Sequence, residues 1–104
     1  NLLEKVYENS LMVELEIAGV PAVQQHPLPV YYRERLVGDF IADILVDGRL
    51  ILEIKAVREI APEHEVQLVN YLNIAKIDDG LLLNFGRSVE VQRKFRVYRP
   101  GGVQ

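Results

Sequence analysis

From Leu36 to Ala56 the chain reads LVGDFIADILVDGRLILEIKA. This stretch restricts the fold more than any other. It holds two apolar runs, 36–46 and 49–56, broken once by Asp47-Gly48, a hairpin dipeptide. Strand side chains alternate between faces with period two. Leu50, Leu52, Ile54 and Ala56 therefore share one face, and Glu53 and Lys55 share the other. In the first run Phe40, Ala42, Ile44 and Val46 fall on one side, and Asp39, Ile41, Asp43 and Leu45 on the other. Loop length decides how the two patterns combine. A two-residue loop pairs Val46 with Arg49 and puts Asp43 and Glu53 on opposite faces. A three-residue loop of Val46, Asp47 and Gly48, with Gly48 left-handed in a G1 bulge, pairs Leu45 with Arg49. Asp43 then lies opposite Ile51 and diagonal to Glu53, with the core residues on one face and the charges on the other. Hydrophobic register selects the odd loop.

The remaining elements follow from simpler signals. Residues 2–18 read as a helix, with Leu3, Tyr7, Leu11 and Leu15 along one side and Gly19 as its C-terminal cap. Residues 22–34 read as a strand that Pro27 and Pro29 confine to an edge or make irregular. YYRERL then turns the chain. Pro62 opens a second helix, 62–76. LLLNF at 81–85 has the unbroken apolarity of a central strand, and 89–98 alternates as a last strand. The expectation is one α/β domain over residues 1–104, a mixed sheet of about five strands with helices packed on it.

Asp43, Glu53 and Lys55 carry the chemistry. Two carboxylates on a half-buried face repel each other and are costly to desolvate. A divalent cation relieves both costs, and Mg²⁺ suits a site with one or two carboxylates and several waters. Lys55 would then hold or activate the attacking water. The same spacing also fits a plain Glu–Lys–Asp network on a half-exposed sheet. Asp39 shares the parity of Asp43 but reads as a satisfied polar group. His64 sits where a helix cap or surface residue belongs, and His26 beside Pro27 reads as structural.

Composition narrows the class further. The sequence has no cysteine, which excludes disulfides and cysteine-built zinc sites and fits a reducing cytoplasm. No apolar run approaches the ~20 residues of a membrane span. The chain opens at Asn1 inside a helical pattern, so a start further upstream is expected. A net charge of −3 argues against binding nucleic acid by bulk charge alone. Arg87, Arg93, Lys94, Arg96 and Arg99 crowd the C-terminal end, as an edge guarded against pairing or as a phosphate track. The half-apolar terminal strand with Val91, Phe95 and Val97 suggests a two-fold homodimer.

The ordered set Asp43, then Glu53-Ile54-Lys55, resembles the metal-binding core of the PD-(D/E)xK nuclease superfamily. Gln67 and Tyr71, four apart on the next helix, resemble the QxxxY motif of its RecB-like members. NLLEKVY followed by ENSLMVEL, QQHPLPVYYRERLVGDF and GLLLNFG resembles the bacterial GxxExxY family of that superfamily, over nearly the whole chain. Asn1 stands where that pattern has Gly, and Ala42 rather than Pro precedes Asp43. The resemblance implies a restriction-endonuclease-like α/β/α core. It implies an Mg²⁺-dependent nuclease, with Mn²⁺ as substitute, that hydrolyses phosphodiester bonds in DNA or RNA. It implies metal ligation by Asp43, Glu53 and the Ile54 carbonyl, with Glu4 completing the site and Tyr7 orienting Glu4. Lys55 would position the water or stabilise charge on the phosphate, and Gln67 and Tyr71 would steady Lys55 or a phosphate. The alternative is a non-catalytic interaction or nucleic-acid-binding module that keeps the fold.

Overall fold

The computed structural model describes residues 2–97. The order is α1 (Leu2–Ile17), β1 (Ala22–Tyr32), β2 (Arg35–Val46), β3 (Leu50–Lys55), α2 (Pro62–Ala75), β4 (Asp79–Phe85) and β5 (Val89–Phe95). The five strands form one sheet in chain order. All neighbours are antiparallel except β3 and β4. A parallel pair needs a crossover, and α2 provides it. β1 is an edge strand, which suits Pro27 and Pro29 because proline cannot donate to a ladder. Asn1, Arg99 and the predicted end of the last strand at residue 98 lie outside the described residues.

The helices cover opposite faces. On one side Tyr7, Leu11, Met12 and Leu15 of α1 pack on Ile44, Leu52 and Ile54. Leu3, predicted to continue that stripe, is 58% exposed. On the other side Leu68, Tyr71 and Leu72 of α2 pack with Leu28, Ala42, Ile51 and Leu82. Gly80 lets α2 approach this closely, because a β-carbon there would stand 2.9 Å from Leu68 Cδ1. Burial on both faces explains why β3 reads as an almost unbroken apolar run.

This arrangement corrects the expected division of faces. Ile44, Leu52 and Ile54 belong with α1, whereas Ala42 belongs with α2. Ile51 is fully buried, and Glu53 is only 5% exposed, so the "charged" face of β3 is also interior. The switch between Ala42 and Ile44 falls at Asp43, opposite Gln25 of β1, whose φ of 55° is left-handed.

The turns fix the register. Arg33 and Glu34 at the tip of the β1–β2 hairpin both have positive φ, the mark of a type I′ turn. Between β2 and β3, Asp47 (φ 51°) and Gly48 (φ 65°) do the same, and Arg49 N–H donates to Val46 O at 2.9 Å. Val46 pairs with Leu50, and Leu45 with Ile51. The loop is thus Asp47-Gly48-Arg49, two left-handed residues and one extra, rather than Val46-Asp47-Gly48 with a Leu45–Arg49 pair. Its odd length preserves the parity, but the register slides by two residues and brings Asp43 level with Glu53.

The helix ends are capped locally. Gly19 at φ 72° closes α1, with Val20 N–H returning to Leu15 O at 2.9 Å. His64 Nδ1 accepts the Ala61 N–H at 3.0 Å at the start of α2, the capping one of its two expected roles. Lys76 takes the left-handed position after α2.

Candidate active site

The site forms where β2 and β3 part. Their ladder runs from Val46↔Leu50 to Ile44↔Leu52. One step further, side chains take over from the backbone. Asp43 N–H donates to Glu53 Oε2 at 2.7 Å, and Ile54 N–H donates to Asp43 Oδ2 at 2.8 Å. The two carboxylates are therefore pinned by reciprocal bonds at the mouth of the splay. Lys55 follows at the half-buried end of β3, paired with Asn84 of β4. Asn84 is buried at 1% exposure, and its Oδ1 accepts the Val57 N–H at 2.9 Å, which fixes how the chain leaves β3 just after Lys55.

The electrostatics are those of carboxylates crowded in a dry place. Burial, then the charge of Asp43, pushes the Glu53 carboxyl up to about 8. Burial also raises Asp43, and the charges of Glu8 and Glu4 raise it further. The backbone N–H donors and the Lys55 ammonium pull both carboxylates back only in part. Burial raises the Tyr71 hydroxyl, and the nearby charges of Glu53 and Asp43 add to that. Tyr71 on α2 is therefore within electrostatic range of the carboxylate pair, and Gln67, exposed one turn before it, lines a surface groove with Tyr71.

Glu8 was not among the expected residues. It is 4% exposed, and its Oε2 accepts from Gln24 Nε2 (2.5 Å), Gln25 Nε2 (2.9 Å) and Lys5 Nζ (3.2 Å). The available signal was its place four residues after Glu4, on the same helix side. Its amide donors come from another element, and no spacing rule points to them. Tyr7, expected to orient Glu4, stacks its ring on Phe85 with centroids 4.4 Å apart and packs on the α1 side of the sheet. Asp39 is exposed. Of the basic residues near the C-terminal end, Arg93 bonds Asp79 at 2.9 Å, Lys94 pairs with Glu65, and Arg96 lies 3.9 Å from Asp78. These pairings favour a guarded edge over a phosphate track.

Residues 1–96 match the family profile of the PD-(D/E)XK nuclease superfamily. The chain belongs to that superfamily. Nucleases of the PD-(D/E)XK superfamily generally use divalent metal ions. Two solved structures share the fold. One, SSO0001, is 16% identical with a TM-score of 0.72, over 93% of this chain and 52% of that one. The other, an alkaline exonuclease from Laribacter hongkongensis, is 12% identical with a TM-score of 0.65, over 89% of this chain and 56% of that one. This PD-(D/E)XK chain thus spans about half the length of each. No curated protein matches its sequence. Among the described residues no helix is long and apolar enough to cross a membrane.

Proposed function

We propose that this chain is a metal-dependent nuclease that hydrolyses phosphodiester bonds in DNA or RNA, with Mg²⁺ as the natural ion and Mn²⁺ as its substitute. The observation that carries this reading is the Asp43–Glu53 pair, two carboxylates locked side by side in a largely buried place, with Lys55 two residues on. Such a pair is costly unless a cation joins it. Among the described residues no three His, Cys, Asp or Glu side chains converge on one point. The resemblance gives the donor set as Asp43, Glu53 and the Ile54 carbonyl, with water for the rest, which suits a hard ion that keeps its waters rather than zinc. Glu4, on the helix facing Asp43, would join through water. A cation held there would act as a Lewis acid on the phosphate.

The chain's own residues do the rest. Asp43 and Glu53 would hold the cation and through its charge set where the phosphate lies. Lys55 places its ammonium where negative charge grows on the phosphoryl group. Gln67 and Tyr71 hold the neighbouring stretch of substrate along α2. Tyr7, stacked on Phe85, keeps α1, with Glu4 and Glu8, seated on the sheet. The GxxExxY grouping and a cytoplasmic setting belong to the same reading. Calorimetry should show Mn²⁺ binding to the wild type and none to Asp43→Ala or Glu53→Ala. Equal binding by all three proteins refutes the site.

A homodimer completes the proposal. Val91 and Phe95 on the free edge strand are each 57% exposed, and Val97 just beyond it is 48% exposed. Two copies would bring two sites to a duplex. Light scattering at tens of micromolar should report a dimer, and a monomer there ends this part of the reading. The non-catalytic alternative draws on the net charge of −3 and on the paired basic residues of β5.

A further inference from the structure

A groove of about 750 Å³ lies between the β1–β2 hairpin and α2, and its wall is mostly apolar. Val30 and Phe40 form one side, and Val66, Gln67, Tyr71 and Ile74 form the other. Phe40 is 43% exposed, and its ring stands 6.0 Å from that of Tyr71 at an interplanar angle of 46°. Tyr71 lines the groove and lies within electrostatic range of Asp43 and Glu53, whose charges raise its hydroxyl. The groove also carries amides. Asn70 and Asn73 line it, and Asn73 Oδ1 is buried without a hydrogen-bond partner. The terminal torsion of an asparagine is broad, so this unsatisfied acceptor is free to turn toward a donor.

We propose that this groove takes an unpaired nucleobase, stacked on Phe40, from the strand whose phosphate lies at Asp43 and Glu53. This rests on the nuclease reading and names its substrate class, nucleic acid with an unpaired nucleotide beside the scissile bond. Three observations favour a base as occupant. The shape offers an aromatic shelf with an apolar floor and amides at its edge, and a base presents a flat ring with N–H donors at its rim. Tyr71 on the groove wall feels the charges of Asp43 and Glu53, so a strand with its phosphate at that pair would bring a base toward the groove. A chain of net charge −3 gains little from counterion release. Stacking is the charge-independent source of affinity for single strands.

The test uses a single-stranded oligonucleotide carrying 2-aminopurine, in Ca²⁺, a hard cation that takes the same oxygen ligands. Binding then does not depend on turnover. The wild type should quench the 2-aminopurine. Phe40→Ala should bind about tenfold or more weakly, and Phe40→Tyr should restore binding. A blunt duplex should give no quenching. Circular dichroism controls for folding, and Phe40→Leu keeps the apolar bulk while removing the stacking ring. Equal affinity in wild type, Phe40→Ala and Phe40→Leu overturns the proposal, as does equal quenching by the blunt duplex. A wild-type dimer that Phe40→Ala makes monomeric, with no nucleotide bound by either, assigns the groove to a second copy and also overturns it. Quenching without cleavage in Mg²⁺ leaves the base site standing and removes the nuclease reading. Cleavage that is indifferent to Phe40 does the reverse.

Discussion

Lys55→Ala should lower phosphodiester cleavage about 10²–10³-fold, the usual cost of removing a positioned transition-state stabiliser, while Mn²⁺ binding survives. The two readouts separate because the two functions sit on different residues. The Asp43 and Glu53 carboxylates are held in place by backbone N–H groups, at 2.8 and 2.7 Å, and Lys55 acts on them through its charge. Removing the ammonium should therefore leave their geometry in place. It also removes a positive charge that competes with a cation, so affinity at pH 8 should hold or rise. Only the rate should fall. Lys55→Arg should recover part of it, since a planar guanidinium keeps the charge but not the compact reach of an ammonium. A labelled oligonucleotide, cut in Mg²⁺ or Mn²⁺ at low salt, measures the rate. Equal rates for wild type and Lys55→Ala would show that the lysine only balances charge.

The parts of this site that were legible in the sequence are those governed by period and parity. An odd loop puts Asp43 and Glu53 on one face whatever its residues, so their meeting followed from the hydrophobic alternation alone. The exact loop did not follow. Asp47 was expected to leave the left-handed position to Gly48, whereas both residues adopt it, and the register slid by two. The division of faces failed for a related reason. Alternation predicts a face only while a strand stays regular, and the sheet is irregular at Gln25 and Asp43, where the site is built. Burial of Glu53 was hidden too, because a Glu in an apolar run looks the same whether α2 covers it or water does. Glu8 was the largest omission. Its role depends on Gln24 and Gln25 reaching it from β1, a contact between elements that no local pattern encodes.

The largest stability effect should come from Glu53→Gln in the metal-free protein. The Glu53 carboxyl is raised to about 8, first by burial and then by Asp43, from an ordinary value of 4.5. A folded-state pKa above the unfolded one means that the native protein holds the proton more tightly. The stabilising contribution is complete below about pH 4.5 and disappears as pH rises through about 8. Asp43 is raised as well, by burial first, and so acts in the same direction. In EDTA the wild type should therefore lose stability between roughly pH 5 and pH 8, by about 2–4 kcal/mol. That is a large share of the 5–15 kcal/mol typical of a small domain. Glu53→Gln keeps an oxygen for the Asp43 N–H and drops the charge. Its unfolding free energy should change much less over this range and exceed the wild-type value at pH 8. Adding Mn²⁺ should then reverse the order, since a cation that binds only the folded state stabilises the wild type by mass action and gives the variant little. Urea unfolding at pH 5 and pH 8, with EDTA or Mn²⁺, measures all four states. If wild-type stability in EDTA is flat or rises with pH, the carboxylates are not strained in the way their burial implies. The proposal of a cation at this site then loses its physical motive.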